Sequence, residues 1–205
     1  MIAIVDYGSG NIRAIENIFN QINVKYLVVR NPLELDLSVS KIILPGVGAF
    51  DESMRTLSES GFIERLNEKV IVEKTPVLGI CVGMQLMANE SEEGQLRGLG
   101  WIPGRVKKLP ITTLNNKPFL PHMGWNSILR KLDCPLLDGI RDESDFYFIH
   151  SYYYECERDS DIMLQTQYGI IFTSAVNNGH IYGVQFHPEK SHSNGIKLLR
   201  NFSQI

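Results

Sequence analysis

Residues 76–85, PVLGICVGMQ, hold the strongest indication of how this chain folds. The apolar run from 76 to 80 is typical of a strand that is buried on both faces, and residues 84–87, MQLM, continue in a helical pattern. Cys81 stands between the two with a glycine two residues away on either side, which predicts a nucleophile elbow. An elbow projects the thiol at the carboxyl end of a sheet, beside a helix N-terminus that favours the thiolate. The alternative is a buried, inert cysteine, the usual state of a free one.

The first half of the chain repeats this alternation of strand and helix. Apolar runs at residues 2–5, 26–29 and 41–44 are followed by helical patterns, which is typical of a parallel sheet covered by helices. After about residue 98, strand patterns with hairpin turns follow one another and predict an antiparallel portion. We therefore expect one α/β domain over residues 1–205, with a mostly parallel sheet flanked by helices.

Composition and charge restrict the classes of function. The 205 residues are 43% hydrophobic and 21% charged, with a net charge of −3 and no basic run, which argues against nucleic acid or a membrane as partner. The three cysteines form neither a CxxC pair nor a zinc-type spacing. No apolar stretch approaches the roughly 20 residues of a membrane helix, and the start does not read as a signal peptide. We expect a soluble, cytoplasmic protein without a metal or a cofactor.

A second segment, VQFHPE at residues 184–189, supplies a base for the thiol. Residues two apart in an extended segment project to the same side, and Pro188 is expected to keep this backbone extended. Glu189 can then accept the Nδ1 proton of His187 and leave Nε2 facing the sulfur, the arrangement that a thiol nucleophile needs. The alternative is a surface His-Pro turn with a solvated glutamate.

Together, GICVGMQ and VQFHPE closely resemble the class I glutamine amidotransferases, and the resemblance covers nearly the whole chain. It implies a flavodoxin-like fold and an enzyme that hydrolyses glutamine to glutamate and ammonia through a glutamyl thioester. The catalytic triad that it implies is Cys81, His187 and Glu189.

The turn PGVG at residues 45–48 follows another strand and precedes a helical pattern. A turn flanked by glycines exposes backbone N–H groups, which the tetrahedral intermediates of acyl transfer require. We expect Val47 and Gly48 to contribute to an oxyanion hole, with the N–H of Val82 as the donor beside the nucleophile. A peptide flip at Val47 would make or break the hole, and the resemblance links this turn to activation. An ordinary strand-to-helix turn is the alternative.

The resemblance also implies a pocket for glutamine. Gln85 lies one helical turn after Cys81, on the same face, and Glu93 matches an acidic residue that meets the substrate α-ammonium group. Ser151 and Tyr152 match a segment whose backbone contacts the amino-acid portion. The adjacent glutamate at 92 leaves open which of the two carboxylates faces the pocket.

Two further segments, DYGSGN at residues 6–11 and PHMGWN at 121–126, resemble the glutaminase subunit of imidazole glycerol phosphate synthase, an enzyme of histidine biosynthesis. In that family the glutaminase forms a heterodimer with a (β/α)8 cyclase subunit of the HisF type, through which the ammonia passes. The predicted interface residues are Asn11, Met123, Trp125 and Asn126. Without the resemblance, a place in a hairpin core is the better prediction for Trp125.

Three alternatives remain open. A paralogous glutaminase that supplies ammonia to a cell-surface sugar amidotransferase would share these segments, because the acceptor site lies on the partner chain. A cysteine peptidase of similar fold would need neither Gln85 nor the PGVG turn, and an inactive binding partner would not need an intact triad.

His122 and His150 lack metal-ligand spacing and are expected to be hydrogen-bonded structural residues. Cys134 and Cys156 are expected to have no role.

Overall fold

A long sheet forms the centre of the computed structural model, which describes residues 1–36, 38–110 and 119–205. At one end of this sheet, five neighbouring strands run parallel in the order β2-β1-β3-β4-β13. Their bounds are β1 (Ile2–Val5), β2 (Tyr26–Val29), β3 (Lys41–Gly46), β4 (Val77–Cys81) and β13 (Ile181–Val184). Strands β1, β4 and β13 are buried along their whole length, as expected for continuous apolar runs between two layers of helices.

The second half of the chain extends this sheet with antiparallel strands, as predicted. The order continues β13-β12-β10-β6-β5, with antiparallel pairing from β13 as far as β6, and β11 pairs with both β12 and β8. Strands β7 and β9 pair with each other in a separate two-stranded sheet. These strands are β5 (Glu90–Ser91), β6 (Gly104–Lys108), β7 (His122–Ser127), β8 (Leu129–Arg130), β9 (Asp145–His150), β10 (Tyr152–Cys156), β11 (Ile162–Tyr168) and β12 (Ile170–Asn178).

The helices are α1 (Ile12–Gln21), α2 (Phe50–Glu59), α3 (Phe62–Asn67), α4 (Val82–Gln85) and α5 (His192–Gln204). Apolar positions at helical spacing bury one face of each long helix; in α1 these are Ile15, Ile18 and Phe19. Within the described ranges, no helix is both long enough and apolar enough to cross a membrane.

Helix α4 is shorter than the sequence pattern indicated. The expected helix over residues 84–87 ends at Gln85, after a single turn. The carbonyls of Leu86 and Met87 instead accept the N–H groups of Leu99 and Ile102, so the segment that returns from residue 99 replaces the next helical turn.

Glycines allow β3, β4 and α4 to approach one another closely. A Cβ atom on Gly83 would lie 1.9 Å from the carbonyl oxygen of Leu44, and one on Gly79 would lie 2.6 Å from the carbonyl oxygen of Gly83. Only glycine fits at these two positions. In the register of the two strands Gly46 pairs with Cys81, so the PGVG turn and the cysteine lie side by side at the carboxyl end of the sheet.

Candidate active site

Cys81 ends β4 and begins the turn into α4, as the predicted elbow requires. Its backbone has φ 56° and ψ −113°, a conformation that costs energy in any residue with a Cβ and that is held here by β4 on one side and α4 on the other. The residue is only 4% exposed and lines a cavity. Strain at the apex of a strand-to-helix turn is typical of a nucleophile that the fold presents to a pocket.

His187 and Glu189 meet as predicted, but by a different backbone route. The Nδ1–H of His187 donates to Oε1 of Glu189 at 2.7 Å, and the two side chains are 3% and 1% exposed. The prediction of an extended segment was wrong: residues 188–190 form a 3₁₀ turn closed by the N–H of Lys190 on the carbonyl of His187, at 3.0 Å. Pro188 starts this turn because its fixed φ suits a first helical position and its missing N–H is not needed there.

The electrostatics of His187 favour its protonated form. Burial alone would lower the pKa of this imidazole, but the hydrogen bonds and charges of Cys81 and Glu189 outweigh burial and raise the pKa. Nε2 has no hydrogen-bond partner of ordinary geometry among the described residues, although the Cys81 side chain lies near enough to act on it. The charged ring can therefore stabilise a thiolate at Cys81 and give up its proton from Nε2.

The turn predicted to form the oxyanion hole is held by a serine from the first loop. The N–H of Val47 donates to Oγ of Ser9 at 2.9 Å, and the Ser9 hydroxyl donates to the carbonyl oxygen of Val47, also at 2.9 Å. Gly48 follows with φ +95°, in the region that favours glycine. The expected donor at Val47 is thus occupied by another group of the protein.

A cavity of about 380 Å³ collects almost all of the predicted site residues, a volume suited to a small-molecule ligand. The predicted residues that line the cavity are Val47, Gly48, Cys81, Val82, Gln85, Glu93, Ser151, Tyr152 and His187. Glu189 lies behind His187. The cavity is also lined by four residues that the sequence motifs did not predict, namely Pro121, Ile149, His150 and Lys190. Lys190 follows Glu189 directly, and that adjacency was the one available signal.

The two adjacent glutamates point in different directions. Oε2 of Glu93 accepts the N–H of Phe50, the first residue of α2, at 2.9 Å, and its side chain lines the cavity. Oε2 of Glu92 accepts the N–H of Lys108 at 2.9 Å, on the strand side. Glu93 is therefore the carboxylate that faces the pocket.

Gln85 is buried and its amide hydrogens are both used inside the protein. Nε2 donates to the carbonyl oxygen of Tyr152 at 3.1 Å and to Oε1 of Gln185 at 2.9 Å. Only Oε1 of Gln85 remains available as an acceptor toward the cavity that this residue lines.

Two buried histidines support the Tyr152 carbonyl from behind. The Nδ1–H of His150 donates to this carbonyl at 2.8 Å, His122 Nδ1 lies 3.0 Å from His150 Nε2, and Asn126 Nδ2 lies 3.1 Å from His122 Nε2. Burial lowers the pKa of His122 to about 4, and burial together with His122 lowers that of His150 to about 3. Both rings are therefore neutral, and each donates a hydrogen bond from Nδ1 and accepts one at Nε2. The hydrogen bonds run from Asn126 through His122 and His150 to the Tyr152 carbonyl. They are the structural histidines expected, but His150 also lines the cavity.

The residues predicted for an interface lie partly at the surface. Met123 and Trp125, two apart on β7, are 59% and 48% exposed, so a hairpin-core position for Trp125 was wrong. The Trp125 ring stacks on His192 with 4.9 Å between centroids. Asn126 faces the other way and donates to the carbonyl of Gln167 at 3.0 Å. Asn11 precedes α1 and is half-buried.

Comparison with known proteins adds to this geometry. Residues 3–205 match the family model described as glutamine amidotransferase class-I. The chain is 49% identical over 205 residues to the imidazole glycerol phosphate synthase subunit HisH of Leptospira interrogans, with 100% of both chains covered. It is 50% identical over 202 residues to subunit HisH 2 of Methanococcus maripaludis, with 98% of both covered.

Two solved structures share the fold at low sequence identity. One is a glutamine amidotransferase with a TM-score of 0.74 at 18% identity, which covers 100% of this chain and 99% of that one. The other is a glutamine amidotransferase from Thermotoga maritima, with a TM-score of 0.63 at 18% identity, which covers 92% of this chain and 75% of that one.

Proposed function

Since this chain belongs to the class I glutamine amidotransferases, in the branch of the HisH subunits of imidazole glycerol phosphate synthase, we propose that its cavity is a glutaminase site served by Cys81, His187 and Glu189. The observation that carries the proposal is the 2.7 Å hydrogen bond between the buried side chains of His187 and Glu189, because His187 lines the same cavity as Cys81. The whole chain of 205 residues acts as one domain.

The reaction has two halves. The Cys81 thiolate attacks the side-chain carbonyl carbon of glutamine, and the imidazolium of His187 protonates the departing nitrogen, which leaves as ammonia. The γ-glutamyl thioester that remains is attacked by water, from which His187 Nε2 takes the proton, and glutamate departs as the C–S bond breaks. Glu189 holds the Nδ1–H throughout and stabilises the charged ring.

The amino-acid portion of glutamine fits the remaining polar groups of the cavity. The Glu93 carboxylate and the free Oε1 of Gln85 are acceptors for the α-ammonium group. The backbone at Ser151 and Tyr152 lines the same cavity and meets the α-carboxylate. A peptidase needs an open cleft for a chain on both sides of the scissile bond, whereas this cavity of about 380 Å³ suits one free amino acid.

The bonds between Ser9 and Val47 describe a resting state of the oxyanion hole. The N–H of Val47 is satisfied by the Ser9 hydroxyl, so it stabilises an oxyanion only after this peptide rotates. Glycines on both sides of Val47 permit the rotation at low cost. The hydrolysis rate of the chain alone is therefore low, and docking of a partner favours the rotated peptide.

Replacement of Ser9 with alanine is expected to raise partner-independent glutamine hydrolysis by about tenfold. The change removes two neutral hydrogen bonds of roughly 0.5–1 kcal/mol each, which shifts the equilibrium toward the rotated peptide by that order. The measurement is kcat for glutamate release by the chain alone. Ser9→Thr keeps the hydroxyl and serves as the matched control. An unchanged or lower basal rate in Ser9→Ala would contradict the resting-state assignment.

The released ammonia is delivered to a cyclase subunit. Ammonia in neutral water is largely protonated and no longer nucleophilic, so direct transfer to a bound partner preserves its reactivity. The exposed pair Met123 and Trp125 on β7 gives the apolar and aromatic surface that protein interfaces favour. We assign these two residues to the heterodimer interface, together with half-buried Asn11; Asn126 is left out because its side chain is turned toward His122 and Gln167.

A reconstitution experiment tests the function. The chain is mixed with the cyclase subunit of an imidazole glycerol phosphate synthase, and glutamate release and imidazole glycerol phosphate formation are followed with glutamine as the only nitrogen source. We expect glutamate release to rise at least tenfold on addition of the cyclase and its substrate, with product formed at the same rate. Equal glutamate release with and without the cyclase, and no product, would contradict the assignment. Activation by a sugar-amidotransferase synthase instead would favour the paralogous function.

A further inference from the structure

Gln185 is a buried polar side chain next to the nucleophile that the mechanism above leaves without a role. It follows β13 directly, two residues before His187, and is 0% exposed. Its Nε2 lies 3.7 Å from the Sγ of Cys81, and its Oε1 accepts from Gln85 at 2.9 Å. A glutamine amide at this depth is retained only if its hydrogen bonds are made.

The orientation of this amide follows from its neighbours. The Tyr152 carbonyl can only accept, so the nitrogen of the Gln85 amide must face it. The second hydrogen on that nitrogen points at Gln185, which must therefore present its oxygen. The Gln185 NH₂ group is left to face Cys81, because a flipped amide would place two donors against each other.

The chain of hydrogen bonds behind Gln85 is equally directional. The Tyr152 carbonyl also accepts from His150, which is supported by His122 and, beyond it, by Asn126. Both histidines are neutral, so near neutral pH each group in this series of hydrogen bonds keeps its role as donor or acceptor. Gln85 therefore fixes the orientation of the Gln185 amide, and the hydrogen bonds that hold Gln85 involve no group that titrates near neutral pH.

We propose that Gln185 donates a hydrogen bond to the Cys81 sulfur, which stabilises the thiolate and orients the sulfur. Gln185 would thus be an uncharged donor to the sulfur, in addition to the charged His187. Hydrogen bonding to the charged form of a group favours that form. His187 has to give up its proton during the reaction, whereas the Gln185 donor persists through both half-reactions. The proposal rests on Cys81 being the nucleophile of the proposed glutaminase.

The test is the pH profile of Cys81 alkylation by iodoacetamide in the full chain, with peptide mapping to separate Cys81 from the other two cysteines. Gln185→Met keeps the length of the side chain and removes both hydrogen bonds. Gln185→Glu keeps the acceptor for Gln85 and replaces the donor by a negative charge. The control Thr166→Val removes a buried hydrogen bond to the Ser174 hydroxyl, 2.9 Å long, but leaves the Gln185 side chain and the backbone bond from the Gln185 N–H to the Ser174 carbonyl in place.

We expect the alkylation midpoint of Gln185→Met to move up by about one pH unit, the size of one hydrogen bond to a charged group. In Gln185→Glu it moves further, and in Thr166→Val it stays at the wild-type value. At neutral pH, kcat/KM of Gln185→Met falls about tenfold and recovers as the pH is raised. An unchanged midpoint in a folded Gln185→Met or Gln185→Glu protein would overturn the proposal.

The alkylation experiment can distinguish a failure of the role proposed for Gln185 from a failure of the proposed glutaminase function. Alkylation does not require glutamine turnover, so it reports on the sulfur even if the physiological reaction were different. An inactive Cys81→Ala variant combined with an unshifted Gln185→Met midpoint would overturn the role of Gln185 alone. A hydrolytically active Cys81→Ala variant would overturn the glutaminase mechanism and, with it, this role.

Discussion

Cys81→Ala is expected to lower glutamine hydrolysis by about 10⁴-fold or more, the usual consequence of removing a triad nucleophile. The loss is specific to glutamine as nitrogen source, because the acceptor chemistry belongs to the partner. With ammonium salts in place of glutamine, the reconstituted complex should form product at the wild-type rate. Glutamate release and product formation are measured separately in the two assays.

The other cysteines serve as matched controls for this variant. Burial raises the pKa of the Cys134 thiol, and burial together with Asp161 raises that of Cys156 to about 12, so neither supplies a thiolate at neutral pH. Cys134→Ala and Cys156→Ala should therefore keep wild-type hydrolysis. Persistent hydrolysis in Cys81→Ala would mean that the nucleophile lies elsewhere.

Glu189→Gln is expected to lower kcat by about 10³- to 10⁴-fold with little change in KM, since the carboxylate orients His187 and does not line the cavity. The variant preserves side-chain volume but loses the charge that raises the pKa of His187. With only Cys81 left to oppose the effect of burial, the pKa of His187 falls, which NMR titration of the imidazole detects. Glu64→Gln, on the exposed face of α3, is the control and should match the wild type.

The same variant has a predictable effect on stability. A raised folded-state pKa of His187 stabilises the protein below the unfolded value of about 6.5, and this contribution is lost as the pH rises through the raised value. The Tm deficit of Glu189→Gln should accordingly be largest below pH 6.5 and shrink at alkaline pH. A deficit that is constant with pH, together with an unshifted imidazole titration, would contradict the assigned role of Glu189.

Features encoded in short segments were predictable from the sequence. The elbow at Cys81 depends on glycines at positions 79 and 83 and on one apolar run, all within ten residues. The pairing of His187 with Glu189 also survived, although the backbone between them turns as a 3₁₀ helix. A proline between two interacting side chains is compatible with both an extended segment and a helical first turn, and the Lys190 bond decides between them.

Contacts between distant segments were not predictable in this way. Ser9 meets Val47 across 38 residues, and Gln85 meets Gln185 across 100, because the order of the parallel strands brings their carboxyl ends together. Nothing in the local pattern around Ser9 specifies that partner. Trp125 is the opposite case. Its aromatic side chain indicates burial, but among the strands that the structure describes β7 pairs with β9 alone, and the Trp125 face is left exposed.

The central claim is that Cys81 attacks the side-chain carbonyl of glutamine bound in the described cavity. Its most direct test is labelling by a glutamine analogue that carries a diazoketone in place of the side-chain amide, followed by peptide mapping. We predict one label per chain, on Cys81 alone, with inactivation proportional to labelling and protection by glutamine. A label on Cys134 or Cys156, or full hydrolysis by a chain labelled at Cys81, would contradict the account.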